Sequence, residues 1–158
     1  MKVSTLDVFD TMRTELELVE TRIAKASSIG IPLVNDLVHD IVTAGGKRLR
    51  PLVLLLAGRG FHYDLDRLIT AAAGVELLHT ASLVHDDSID RAAIRRGRPT
   101  LNAKLGTSAV IMLGDFLFAQ AAILAADTGV PRVVAAFSRA LGDICDGQLR
   151  EMFSAHRL

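Results

Sequence analysis

Three observations predict an all-α protein. The long segments are built from Ala, Leu, Arg, Glu and Met, residues that favour helices. Alternating apolar and polar residues with turn signals at strand spacing are absent. Half of the 158 residues are hydrophobic, enough to bury a substantial core in one globular domain spanning the chain.

The helices follow in order. Thr5 or Asp7 caps a first amphipathic helix running to Ser27, with Leu6, Phe9, Leu16, Val19 and Ile23 near one face; Ile29-Gly30-Ile31-Pro32 ends it. A second helix spans Leu33 to Thr43 and stops at Gly45-Gly46. Pro51 then falls in the first turn of an apolar helix reaching Gly58 or Gly60. Asp64 or Asp66 caps a long helix through Asp90, and Arg91 to Pro99 reads as a polar loop. Thr107 caps a strongly apolar helix, which Gly129-Val130-Pro131 separates from a last helix, Arg132 to Ala155. No fixed-period repeat, low-complexity tract or long linker divides the chain.

Lys+Arg and Asp+Glu balance at 18 each, so whole-chain charge gives no ground for binding nucleic acid or an anionic membrane; any charge-based function is local. Cys145, the single cysteine, forms no intramolecular disulfide, and Met1 to Asp10 has no basic start with an apolar core and cleavage site; a cytoplasmic location is expected. Ala109 to Ala126 is apolar enough to suggest a membrane span, but Asp115 and Gln120 interrupt it and no aromatic belt flanks it. A buried helix, with no membrane span, is the expectation.

The sharpest chemical feature is His85-Asp86-Asp87-Ser88-Ile89-Asp90, three carboxylates crowded at the end of an apolar helix. Asp86 and Asp90 lie about 40° apart around the axis, with Asp87 about 100° from Asp86. Such a set suits Mg²⁺, which takes hard oxygen ligands from one or two carboxylates together with waters and substrate phosphates. An EF-hand is excluded because its Gly and terminal Glu are missing. The alternative is an acidic helix end exposed to water. Asp86 and Asp90 are expected to face a cavity.

Two basic clusters bracket this motif. In Gly45-Gly46-Lys47-Arg48-Leu49-Arg50-Pro51 the glycines permit close backbone approach, Lys47 supplies a point charge, and Arg48 and Arg50 can grip phosphate oxygens with a planar fork. A Walker A loop is excluded by spacing and by the missing Ser/Thr. Arg95-Arg96-Gly97-Arg98-Pro99-Thr100 follows the carboxylates. Each cluster taken alone reads equally well as a solvated basic loop. His79, seven residues before Asp86, falls within about 20° of the same helix stripe, although a lone His on an apolar helix is more often a core residue. Zinc is not expected, since no HExxH spacing occurs and Cys145 is alone.

GGKRLRP at Gly45 to Pro51, Glu76-Leu77-Leu78-His79, the DDxxD at Asp86 to Asp90, RRGRPT at Arg95 to Thr100, Gly114-Asp115 and Gly147-Gln148-x-x-Glu151 occur in that order. Together they resemble the first half of the trans-isoprenyl diphosphate synthase, or polyprenyl synthetase, family, with the likeness clearest from Asp36 onward. The resemblance implies the N-terminal half of an isoprenoid synthase helical bundle. It implies a Mg²⁺-dependent prenyltransferase that condenses isopentenyl diphosphate with an allylic diphosphate. It places Lys47, Arg50, His79 and Arg96 on the diphosphate of isopentenyl diphosphate. Asp86, Asp87 and Asp90 become ligands of Mg²⁺ on the allylic diphosphate, Arg95 a contact to its phosphates, and Gln148 part of the wall where the allylic group reacts. Dimers are implied as well.

Members of this family are longer and carry a second aspartate-rich motif, a Lys-Thr segment and further helices, which have no counterpart in this sequence. The expectation is therefore an incomplete site in this chain alone: a fragment, a split enzyme completed by another chain, or a noncatalytic subunit that pairs with a complete synthase, in that order. A helical interaction module that keeps the motifs only by descent is a fourth reading. Ala81 and Ser82, one turn before Asp86, are small. In the family bulky residues there form a floor under the growing product, so a long-chain product is expected, stopped deeper by Met112, Phe116 or Phe118.

Overall fold

A computed structural model describes residues 5–43, 47–95 and 98–154. The helices are α1 (Thr5–Thr11), α2 (Arg13–Ala26), α3 (Pro32–Thr43), α4 (Leu49–Arg59), α5 (Leu65–Ile89), α6 (Leu101–Leu105), α7 (Thr107–Asp127) and α8 (Pro131–Ser154). A minimal antiparallel hairpin, β1 (Ile94–Arg95) with β2 (Arg98–Pro99), lies between α5 and α6. The all-α expectation holds.

The expected first helix is present but broken at Met12, whose amide reaches both the Val8 and Phe9 carbonyls at 3.2 Å while its side chain is fully buried. Val19 and Ile23 enter the core, with Phe9 and Leu16 packed against them. The side chains of Thr5 and Asp7, expected as caps, lie outside the described residues, as do Gly45 and Gly46. Pro51 occupies the first turn of α4, where a missing N–H leaves no helical bond unmade. Asp64 is the cap of α5, accepting from the Arg67 amide at 3.3 Å. At the N-terminus of α7 the expectation needs correction. Gly106, at φ +78°, holds the capping position, and Thr107 instead donates its hydroxyl to Asn102 Oδ1 at 3.1 Å. The short helix α6 was not expected.

Helix α5 is the central strut. It buries more than half its residues, among them Leu77, Ala72, Ala73 and Ala81, and packs against α2, α4 and α7. The α5–α7 pair is close because small residues line it: a Cβ on Gly74 would meet Leu124 Cβ at 3.3 Å and the Ala121 carbonyl at 3.4 Å. By length and composition α5 and α7 each resemble a membrane span, yet they lie side by side with the amphipathic α2 against them. Helix α8 differs, for none of its residues is buried; Phe137 and Leu141 pack on the core, while Leu149, Met152 and Phe153 are exposed.

Candidate active site

The C-terminal end of α5 gathers the predicted residues. After Asp90 the chain leaves the helix through a Schellman turn: Ala92 N–H donates to the Asp87 carbonyl at 2.9 Å and Arg91 N–H to that of Ser88 at 3.3 Å. Arg91 takes the left-handed position (φ 51°) that usually falls to glycine. The chain then folds back as the hairpin. Thr100 anchors its base, donating its hydroxyl to the Ala92 carbonyl at 2.6 Å and its amide to that of Ala93 at 3.0 Å. This return brings Arg95 to Asp87, Nε to Oδ1 at 2.6 Å.

A cavity of about 710 Å³ opens beside this pair. It is lined by Lys47 and Arg50 at the start of α4, by His79 and Asp87 on α5, and by Arg95. Five residues from four sequence motifs therefore share one wall. Among the described residues Lys47 and Arg50 have no carboxylate partner, which leaves both charges available to an anion. Arg96 lies outside the described residues.

Asp86 and Asp90, expected to face a cavity, are not among the residues that line this one. The stripe of α5 facing it runs through Glu76, Thr80, Leu83 and Asp87, and Asp86 sits about a quarter turn away from it. Asp86 faces α8 instead, where Gln148 donates from Nε2 to Asp86 Oδ1 at 3.0 Å. Asp90 caps the helix and is exposed. Burial pushes the Asp86 carboxyl above its ordinary value; Asp90 and Asp87 push the same way, against the pull of Arg95 and His85. The DDxxD motif is thus divided, with Asp87 on the cationic side of α5 and Asp86 towards α8.

His85 fixes the last turn of α5 against α7. Its ring lies over Gly114, where a Cβ would come within 2.3 Å of Nε2. Nε2 donates to the Ile111 carbonyl at 3.1 Å and stands 3.4 Å from Asp115 Oδ1, and the ring meets Phe118 at 5.0 Å between centroids. Gly114-Asp115 therefore seats the residue before Asp86.

Arg48, read from the sequence as a phosphate fork, also lines the cavity, but its guanidinium is engaged by the protein itself. Its guanidinium is bonded to Glu20 on α2, to Glu76 on α5 and to the Val42 carbonyl. Burial works to lower its pKa, and the bonds and charges of Glu20 and Glu76 raise it further than burial lowers it. Sequence reasoning also missed Glu76, Asp40 and Lys104 as cavity-lining residues. Helical periodicity could have found Glu76, which precedes Asp87 by about three turns on the same stripe. Nothing local marks Asp40 or Lys104.

The polyprenyl synthetase family profile matches residues 31–158. The chain is 38% identical over 152 residues to heptaprenyl diphosphate synthase component 2 of Geobacillus stearothermophilus, covering 95% of this chain and 47% of that protein. Among solved structures, a decaprenyl diphosphate synthase from Rhodobacter capsulatus superposes with a TM-score of 0.87 at 33% identity, covering 92% of this chain and 45% of that one. A polyprenyl synthase from Caulobacter crescentus, solved with calcium and isoprenyl diphosphate, gives 0.88 at 31%, covering 96% and 47%. The chain spans about half the length of these relatives, and the match over residues 31–158 places it in the polyprenyl synthetase family.

Proposed function

We propose that this protein provides the isopentenyl diphosphate pocket and the first carboxylate cluster of a Mg²⁺-dependent trans-prenyltransferase, which joins isopentenyl diphosphate to an allylic diphosphate. The observation that carries this reading is the pairing of a cationic cavity with a divided carboxylate motif at one helix end. Lys47, Arg50, His79 and Arg96 would hold the diphosphate of the acceptor. Asp86, Asp87 and Asp90 would hold Mg²⁺ on the allylic diphosphate.

The donor set fits that ion. All three are carboxylates, and their mutual repulsion at Asp86 is what a divalent cation relieves. Among the described residues no closed set of three protein ligands is preassembled, in keeping with an ion that completes its shell from waters and phosphates. When bound, Mg²⁺ supplies electrostatic stabilisation of a departing diphosphate. Arg95 adds a guanidinium beside the same charge and Gln148 orients Asp86 from α8; the apolar faces of α5 and α7 would exclude water once a complementing half covers them.

A long-chain product is part of the proposal. Ala81 is fully buried and Ser82 nearly so, and both side chains are small, so no bulky residue stands one turn before Asp86. Phe116 and Phe118 pack against the core and Met112 is exposed on this chain, and all three remain candidates for a deeper stop. The relatives described above are named for heptaprenyl and decaprenyl products.

A second reading, a subunit that pairs with a synthase, has its own support. One relative is named as a component of a synthase, and α8 presents Leu149, Met152 and Phe153 to solvent. A second copy of this chain or a complementing chain would cover that face.

The test supplies the chain with a complementing C-terminal half or partner synthase, labelled isopentenyl diphosphate, an allylic diphosphate and Mg²⁺. Long polyprenyl diphosphates that disappear with Asp86→Ala are expected. Farnesyl or geranylgeranyl diphosphate alone would refute the long-chain assignment, and product unaffected by Asp86→Ala would refute the site.

A further inference from the structure

The middle cation of the basic turn is engaged by the protein itself. Arg48 bonds through Nε and Nη2 to the two oxygens of Glu20, the second at 3.0 Å, through Nη1 to Glu76 Oε1 at 3.1 Å, and through Nη2 to the Val42 carbonyl. One guanidinium thereby joins α2, the end of α3, the start of α4 and the middle of α5. Its side chain is 13% exposed, and few of its N–H groups remain for a ligand. Glu76 is itself buried and lies in the cavity wall, where only this arginine pairs with it among the described residues.

The backbone at this point is strained. Arg48 sits at φ 46°, ψ 39°, a left-handed conformation that is unfavourable for a residue with a Cβ. Such a conformation persists where the surroundings over-determine it, and here the four-way bonding of its own side chain does so. Lys47 precedes this turn and Arg50 follows it by two residues, and both line the cavity, as Arg48 does with its guanidinium already bonded to Glu20, Glu76 and Val42.

We infer that Arg48 is a positioning residue, and that the Glu20–Arg48–Glu76 network holds the left-handed turn which presents Lys47 and Arg50 to a diphosphate. Glu20, on an outer helix and absent from the cavity wall, thus controls diphosphate affinity at a distance. The inference rests on the reading of the cavity as a diphosphate site.

The two possible roles of Arg48 predict opposite signs. If Arg48 were a phosphate ligand restrained by Glu20, removing that negative charge would tighten binding, as simple electrostatics requires. If Arg48 positions its neighbours, Glu20→Gln weakens binding by about three- to tenfold, a fraction of one charge-assisted hydrogen bond. The experiment is calorimetric titration of isopentenyl diphosphate into the full chain, with circular dichroism to confirm retained helix. Lys47→Ala is the control. Weaker binding by Glu20→Gln supports the inference. Unchanged or tighter binding, with Lys47→Ala still defective, overturns it and leaves the site intact; wild-type binding by Lys47→Ala removes the site and the inference together. Should Glu20→Gln lose helix, Arg48→Lys decides the matter, since it keeps the charge but cannot bridge both carboxylates. Weaker binding there supports positioning and wild-type affinity overturns it.

Discussion

Gly114→Ala tests how the carboxylate helix is seated. The added Cβ would lie 2.3 Å from His85 Nε2 and 2.4 Å from Cδ2. Carbon contacts relax at about 3.5–4.0 Å, so the ring must retreat by roughly 1.2 Å or more. That movement breaks the bond to the Ile111 carbonyl, a loss of about 0.5–1.5 kcal/mol. Overpacking costs about 1–3 kcal/mol, and alanine's helical advantage over glycine returns about 1 kcal/mol. The net expectation is a loss of about 0.5–3.5 kcal/mol, read as a lower urea midpoint at unchanged slope. In a His85→Ala background the obstacle is gone, and Gly114→Ala should stabilise by about 1 kcal/mol. A Gly114→Ala protein as stable as wild type, or the same effect in both backgrounds, would refute the account of this contact.

Leu77→Ala, at a fully buried position of α5, should cost about 2–5 kcal/mol by urea unfolding, and a loss below 1 kcal/mol would show that α5 is not the central strut. Arg91→Gly relieves a left-handed arginine and should stabilise the protein by about 0.5–1 kcal/mol; a loss of stability would contradict the strain argument. Asp86 is raised above its ordinary value by burial, Asp90 and Asp87, so the folded protein holds this proton more tightly than the unfolded chain. The stability associated with it is present below the unfolded value and lost as pH rises through the folded one. Asp86→Asn should therefore flatten the fall in stability across that window and leave the protein more stable at neutral pH without Mg²⁺. Superimposable pH profiles for the two proteins would contradict this.

Much of the architecture was legible in the sequence because single residues mark helix ends: Asp64 caps α5, and Gly129 with Pro131 separates α7 from α8. The failures have equally local causes. Thr107 is a good capping residue, but Gly106 reaches a positive φ more cheaply, so the helix begins one residue earlier in effect. The break at Met12 depends on tertiary packing of a fully buried side chain, which periodicity does not reveal. At the site, motif order identified Lys47, Arg50, His79, Asp87 and Arg95, which do share one cavity. Which aspartate faces which side was not legible, because a 100° step decides it and the neighbours of each face come from α3, α4 and α8. The engagement of Arg48 by Glu20 and Glu76 was hidden for the same reason: these partners are 28 residues away in both directions.

The most direct test of the account is the metal dependence of ligand binding on the two sides of α5. An allylic diphosphate analogue, titrated into the chain by calorimetry with Mg²⁺ and again with chelator, should bind only with the metal, and Asp86→Ala should abolish that binding. Lys47→Ala should instead weaken isopentenyl diphosphate. Analogue binding that is equal in wild type and Asp86→Ala, or indifferent to Mg²⁺, would contradict the assignment of the carboxylate cluster.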